Sequence, residues 1–187
     1  MFDKLFRLSG LMALAMGLVC MAPAQDEDDA DEPQPAPKVE KGSKRSVAKS
    51  PVAKVIAGLD TFNAEPNLKA KFYIYLMSAS WCGPCKAEMP EIVKLYPAMK
   101  KKKVEILLVG ADNSKEAAAQ YLQSFKAQFP GVHAKAKGVS ELPGLSSPPG
   151  IPYVIFVNDK GVVLDKGIAS SLMRNWEKII KSKPAKK

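Results

Sequence analysis

Apolar positions fall along this chain in two rhythms, and each change of rhythm marks an element. Phe72 to Met77 and Val104 to Val109 read as continuous apolar runs, and runs that short are buried strands rather than helices. Tyr73, Tyr75 and Met77 in the first run are expected to pack in the core and across strands. After Val109 the period lengthens. Ala117, Tyr121, Leu122, Phe125 and Phe129 recur at helical spacing, predicting a helix capped by Asp112 or Asn113 and reaching Phe129. Val52 to Leu59 suits a short helix, and Cys82 to Ala98 a longer one that Pro90 should kink. A glycine- and proline-rich loop, Gly138 to Pro149, leads to two further apolar runs, Tyr153–Val157 and Val162–Leu164. Asn158-Asp159-Lys160-Gly161 between them is a hairpin turn signal, and Ser171 to Lys181 closes the chain as a helix. Strand–helix alternation ending in a hairpin and a helix predicts an α/β fold, with a central mixed β-sheet flanked by helices. No internal repeat is visible.

The first 50 residues follow neither rhythm. Lys4 and Arg7 precede an apolar stretch, Leu8 to Met21, and Ala22-Pro23-Ala24 offers a small-x-small cleavage site. Residues 1–24 therefore read as a secretory signal peptide. The apolar stretch is short for a membrane span, which needs about 20 residues. Cys20 leaves open a lipid-modified start and membrane anchoring, although Val19 is not the small residue such sites prefer. Residues 25–50 are acidic from Asp26 to Glu32, then carry Pro33, Pro35 and Pro37, then turn basic from Lys38 to Lys49. That composition cannot bury enough apolar surface to fold, so it predicts a disordered linker before a domain at 51–187.

Charge and cysteine content narrow the function. The net charge of +9 hides an acidic start: residues 1–37 hold two Lys/Arg against seven Asp/Glu, and residues 38–187 hold 26 against 12. Lysines dominate and are spread thinly, with one run at Lys100 to Lys103 and no arginine stripe interleaved with aromatics. Nucleic-acid binding is therefore not expected. Three cysteines are too few for a disulfide-stapled scaffold, and Cys20 would leave with the signal peptide.

What remains is Trp81-Cys82-Gly83-Pro84-Cys85-Lys86. A thiolate attacks disulfides, so a reactive cysteine needs its ionisation favoured. Cys82, at a strand end where a helix begins, gains this from unpaired N–H groups and the helix dipole. Cys85, one turn on, is close enough to bridge to it. Cys82 is then the exposed attacker and Cys85 the sheltered resolving thiol. A CxxC pair is also half of a zinc site, but structural zinc needs four ligands. The mature chain offers two cysteines and His133, which lies in a loop-like segment, so no metal is expected. Cu(I) on the pair is chemically easier, and a Cu(I)-binding or docking module without turnover is the alternative function.

The residues around the pair go further. Ser80 to Lys86 after an apolar strand resembles the thioredoxin active-site motif, and Pro90 matches the kinking proline of that family's second helix. Gly150-Ile151-Pro152 before Tyr153 is similar to the family's cis-proline segment, which faces the disulfide. Lys86-Ala87-Glu88-Met89-Pro90 resembles the extension found in exported bacterial thiol–disulfide oxidoreductases, including those of cytochrome c maturation. The resemblance covers residues 65–182 and implies a thioredoxin fold, a protein disulfide reductase and no cofactor. It implies Cys82, Cys85 and Glu88 as catalytic residues, with Glu88 handling protons for Cys85. Trp81, Ile151 and Pro152 would contact substrate, Gly83 and Pro84 would tune the pair toward reduction, and Gly167 would follow the last strand near the groove. Disulfide-bearing exported proteins are the expected partners, with a membrane electron donor, a periplasmic location and a monomeric state. One departure stands out: thioredoxins bury an aspartate six residues before the first cysteine, and this chain has Leu76.

Overall fold

The structure, a computed structural model, describes residues 48–182, so the signal peptide and nearly all of the linker lie outside the described residues. Residues 48–50 already belong to the domain. Ala48 packs against the core, and the Ser50 hydroxyl accepts a hydrogen bond of 3.1 Å from the Ala53 amide. That bond caps helix α1, Pro51–Gly58. Strand β1 is Phe72–Ser78, helix α2 is Gly83–Lys101 and strand β2 is Val104–Gly110. Helix α3, Lys115–Ser124, leads to a short strand β3, Gly131–His133, and then a 3₁₀ turn, Val139–Glu141. Strands β4, Tyr153–Asn158, and β5, Val163–Ile168, form the hairpin, and helices α4, Ala169–Arg174, and α5, Trp176–Lys181, follow it. Among the described residues no helix is long and apolar enough to cross a membrane.

The sheet order is β3-β2-β1-β4-β5. β1, β2 and β3 run parallel, whereas β4 is antiparallel to β1 and β5 to β4, so the sheet is mixed. Ile74, Leu76, Ile106, Leu108, Val154 and Phe156 face one core with α2, α3, α4 and α5. Their alternates Tyr73, Tyr75, Met77, Leu107, Val109, Ile155 and Val157 face a second core under α1. Both faces being covered is why the central strands read as unbroken apolar runs rather than as alternation.

Five elements differ from expectation. The cap of α3 is Ser114, whose hydroxyl accepts from the Ala117 amide at 3.1 Å, because the Asp112 carboxylate is engaged elsewhere. The helix stops at Ser124, and Lys126, at φ 53°, turns the chain away. The next apolar stretch, the three residues of β3, is too short for periodicity to reveal. β5 runs to Ile168 and takes in Gly167, which pairs with Val154 rather than following the strand. The C-terminal helix is two helices, broken at Asn175, whose side-chain amide donates to the Ser171 carbonyl at 3.1 Å. Helix α2 runs past Ala98 to Lys101 and includes Pro97 as well as Pro90.

Glu105 is a buried carboxylate at the end of the sheet opposite the cysteines. It accepts from the Tyr96 hydroxyl at 2.6 Å and from the Asn67 amide at 3.0 Å. Burial raises its pKa above the ordinary value, although these two hydrogen bonds and Lys100 pull it back. A raised folded-state pKa means the folded chain binds the proton more tightly than the unfolded one. Its contribution is then fully present below the unfolded value, about 4.3, and fades as pH rises through the folded value. Denaturant titrations from pH 4 to pH 8 should show wild type losing more stability than Glu105→Gln. Equal losses would show that Glu105 ionises in the fold as easily as in the unfolded chain.

Candidate active site

The C-terminal ends of β1 and β2 and the start of β4 meet at one edge of the sheet, and the cysteines sit there. β1 ends at the buried Ser78, and the chain turns through Ala79, Ser80 and Trp81 before α2. Cys82 is the N-cap of α2, with φ −87° and ψ 108°, and its sulfur accepts from the Cys85 amide at 3.3 Å. Gly83 and Pro84 open the helix. Proline fits that first turn because its missing N–H would lack a helical partner there anyway. Nothing lies within 4 Å of where a Gly83 side chain would start, so the space beside this first helical residue is open.

Cys82 and Cys85 are joined by a disulfide, with Cα atoms 5.2 Å apart. Both cysteines are buried, Cys82 at 7% exposure and Cys85 at 1%, so Cys82 is the nearer of the two to solvent. The 19 residues of α2 point their dipole's positive end at Cys82, and Lys100 and Lys101 complement the negative end. The expected helix start is thus at Cys82, whereas the residue itself is buried rather than exposed, though less deeply than Cys85.

Ile151 and Pro152 close the site from the head of β4. Their peptide bond is cis, and the Ile151 carbonyl lies 3.7 Å from the Cys82 sulfur. The Pro152 carbonyl accepts from the Ala169 amide at 3.3 Å, which fixes the segment to the start of α4. Trp81 is 63% exposed, and its indole N–H donates to the Ala111 carbonyl at 3.2 Å. The fold thus gathers Trp81, Cys82, Gly83, Pro84, Cys85, Ile151 and Pro152 into one site.

Glu88 stands one turn beyond Cys85 on α2. It borders a cleft of about 230 Å³ between α2 and α4, with Glu91, Ser170, Met173 and Arg174. Its Oε2 atom is shielded from solvent and has no hydrogen-bond partner among the described residues. Leu76 is fully buried in the core, so this position of β1 supplies no acid. Lys86 is exposed, and His133 is the last residue of β3 rather than part of a loop. The His133 Nε2 lies 2.9 Å from the Asp112 carbonyl.

Sequence reasoning assigned no role in the site to Asp112, Ser80, Ser78 or Tyr121. Asp112 is 4% exposed, and its Oδ1 accepts from both the amide and the hydroxyl of Ser80, at 2.9 and 2.6 Å. Behind it the buried hydroxyls of Ser78 and Tyr121 are 3.0 Å apart. Burial raises the Tyr121 phenol's pKa against the Ser78 hydrogen bond, and the nearby Asp112 and Glu88 charges add to the rise. The signal for Asp112 was an acid directly after an apolar strand, but a helix cap explained it equally well.

Comparisons with known proteins agree with this geometry. The Redoxin family model matches residues 34–179. The thiol-disulfide oxidoreductase ResA of Oceanobacillus iheyensis is 32% identical over 97 residues, covering 52% of this chain and 49% of the relative. ResA of Bacillus subtilis is 30% identical over 98 residues, covering 52% and 53%. The chain thus spans about half the length of these two relatives. Among solved structures, the thioredoxin domain of a Bacteroides vulgatus thiol-disulfide oxidoreductase superposes with a TM-score of 0.51 at 24% identity, covering 60% of this chain and 81% of that one. A thiol:disulfide interchange protein from Bacteroides sp. gives 0.51 at 23% identity, covering 63% and 78%. Those likenesses are of fold.

Proposed function

This chain belongs to the Redoxin family and has the thioredoxin fold, and we propose that it is a thiol–disulfide oxidoreductase that reduces disulfides of exported proteins. The carrying observation is the Cys82–Cys85 disulfide at a helix N-terminus, with Cys82 less deeply buried than Cys85. In the reduced pair the Cys82 thiolate attacks one sulfur of a substrate disulfide and expels the other as a thiolate. Cys85 then loses its proton and attacks the Cys82 sulfur, which breaks the mixed disulfide and releases the second substrate thiolate. The product is the Cys82–Cys85 disulfide, and a dithiol partner at the membrane returns it to the reduced form.

The other residues divide the remaining tasks. Trp81 directly precedes the reacting cysteine and offers its exposed ring to substrate, while the Ile151 backbone beside the sulfur is the edge on which an extended substrate segment pairs, held in place by Pro152. Gly83 and Pro84 keep the helix start tight. Glu88 takes the proton from Cys85, a role for which its partnerless oxygen and its place one turn away suit it. Residues 1–24 direct export and leave the domain outside the cytoplasm. Intact mass of the exported protein checks this, since a lipid-modified chain starting at Cys20 would overturn the cleavage after Ala24.

Equilibration of the pair with glutathione tests the direction of the reaction. A reductase should sit near the thioredoxin value of about −270 mV, whereas a pair above about −180 mV would be an oxidant. For Glu88→Gln, resolution of a mixed disulfide should slow by at least about tenfold near neutral pH, because a positioned proton acceptor contributes that much or more. The defect should shrink as pH rises and Cys85 ionises unaided. Stopped-flow rates at several pH values read both effects, and wild-type rates throughout would make Glu88 a bystander.

A further inference from the structure

We propose that Asp112 is a redox-tuning and positioning residue of the dithiol site: it fixes the Ser80–Trp81 turn through one carboxylate oxygen and opposes ionisation of Cys82 with its negative charge. The inference rests on reading Cys82 as the attacking thiol, and it adds a residue that lies outside the CxxC helix and outside the cis-proline segment.

The geometry has three parts. Oδ1 of Asp112 accepts two hydrogen bonds from Ser80, the arrangement an ionised carboxylate favours. Ser80 is two residues before Cys82, at most about 7 Å of chain, and the carboxylate lies one hydrogen bond beyond Ser80. Oδ2 is shielded from solvent and has no hydrogen-bond partner among the described residues. A buried carboxylate oxygen without a donor is costly, and such atoms in a native fold call for an explanation. Here the unneutralised oxygen leaves much of the charge free to act on its surroundings, in a site where water does not screen it.

That charge works against the helix. The N-terminus of α2 stabilises a thiolate at Cys82, and strong thiolate stabilisation makes a pair oxidising because it favours the reduced form. A fixed negative charge behind the turn limits that stabilisation and keeps the pair a reductant. Leu76 supplies no charge of this kind from β1, so the β2–α3 segment supplies it instead. The same segment carries the Trp81 indole on the Ala111 carbonyl and meets His133 at the Asp112 carbonyl, so its position is set from three sides.

Other ionisable groups stand on the neighbouring elements. From α2 come Glu88, partly buried, and Lys86, exposed. From α3 come the buried Tyr121, Lys115, which is paired with Asp60 at 2.6 Å, and the exposed Glu116. From β3 comes His133. The Asp112 carboxylate is the most buried acid among them.

The test compares wild type, Asp112→Asn and Ser80→Ala in the full chain. Two readouts need no protein substrate: the pH dependence of Cys82 alkylation, and the equilibrium of the pair with glutathione. In Asp112→Asn, Cys82 should ionise at lower pH, and the equilibrium should move toward the dithiol by about threefold to thirtyfold. Ser80→Ala keeps the charge, so its equilibrium should stay within about twofold of wild type. Unchanged values in Asp112→Asn, or an equal shift in Ser80→Ala, would overturn the proposal. If Asp112→Asn does not fold, carbon NMR of the reduced wild-type chain decides: the Asp112 carboxyl signal should step at the pH where Cys82 ionises, and its absence overturns the idea. A chain that shows these shifts yet fails to reduce protein disulfides would instead sink the proposed function.

Discussion

Replacing Cys85 with serine is expected to turn the protein into a trap that stays bonded to its substrate through Cys82. The reason lies in the unequal exposure of the two sulfurs. At 7% exposure Cys82 can be approached, whereas Cys85, at 1%, touches only the inside of the site. Attack by Cys82 needs nothing from Cys85, so the first step should proceed. Resolution needs a second thiolate on the first sulfur, and a serine hydroxyl is far too weak an acid to supply an equivalent. Cys82→Ser should show the reverse: no mixed disulfide, and exchange reduced to the uncatalysed background. Non-reducing electrophoresis after alkylation, with mass spectrometry of the adducts, reads both variants. Equal trapping by the two would mean that either sulfur can attack and that the exposure difference does not control the chemistry.

The second large effect is on the fold. Phe129→Ala should destabilise the domain by about 3–5 kcal/mol, the range for removing a buried aromatic side chain. Phe129 is fully buried, and its ring meets Tyr96 of α2 edge-on, with centroids 5.4 Å apart. The backbone cannot easily collapse into the space left behind. The Asn63 side-chain amide donates to the carbonyls of Ala127 and Phe129, at 2.8 and 2.9 Å, and β3 begins two residues later. Since domains of this kind are stable by only about 5–15 kcal/mol, the variant should unfold at much lower denaturant than wild type. Chemical denaturation followed by circular dichroism measures it. A loss below about 1 kcal/mol would show that the site closes over the missing ring.

Phe129 also shows where the sequence was legible and where it was not. Its spacing from Tyr121, Leu122 and Phe125 identified it as a core residue, which it is. The same spacing assigned it to α3, which it has left: the helix stops at Ser124, and Lys126 takes a left-handed turn. Burial follows hydrophobic spacing wherever the chain stays near one face of the sheet. Where the helix ends depends on local backbone geometry that the apolar pattern does not encode. The C-terminal helix gives the same lesson at Asn175, where a side-chain amide bonds back to Ser171 and interrupts a sequence that is otherwise helical in pattern.

Four of the five strands, the order of the main elements and the reactive pair were legible in the residues alone. These depend on short-range facts: unbroken apolar runs, a turn signal, and two cysteines at the spacing of one helical turn. Folding in three dimensions set the rest: that Cys82 is itself buried, that Ile151 stands 3.7 Å from its sulfur across 69 residues of chain, and that Asp112 serves Ser80 instead of capping α3. Each of these is a contact between segments distant in sequence. Such contacts are set by how β1, β2 and β4 lie side by side, and no local pattern of residues carries that information.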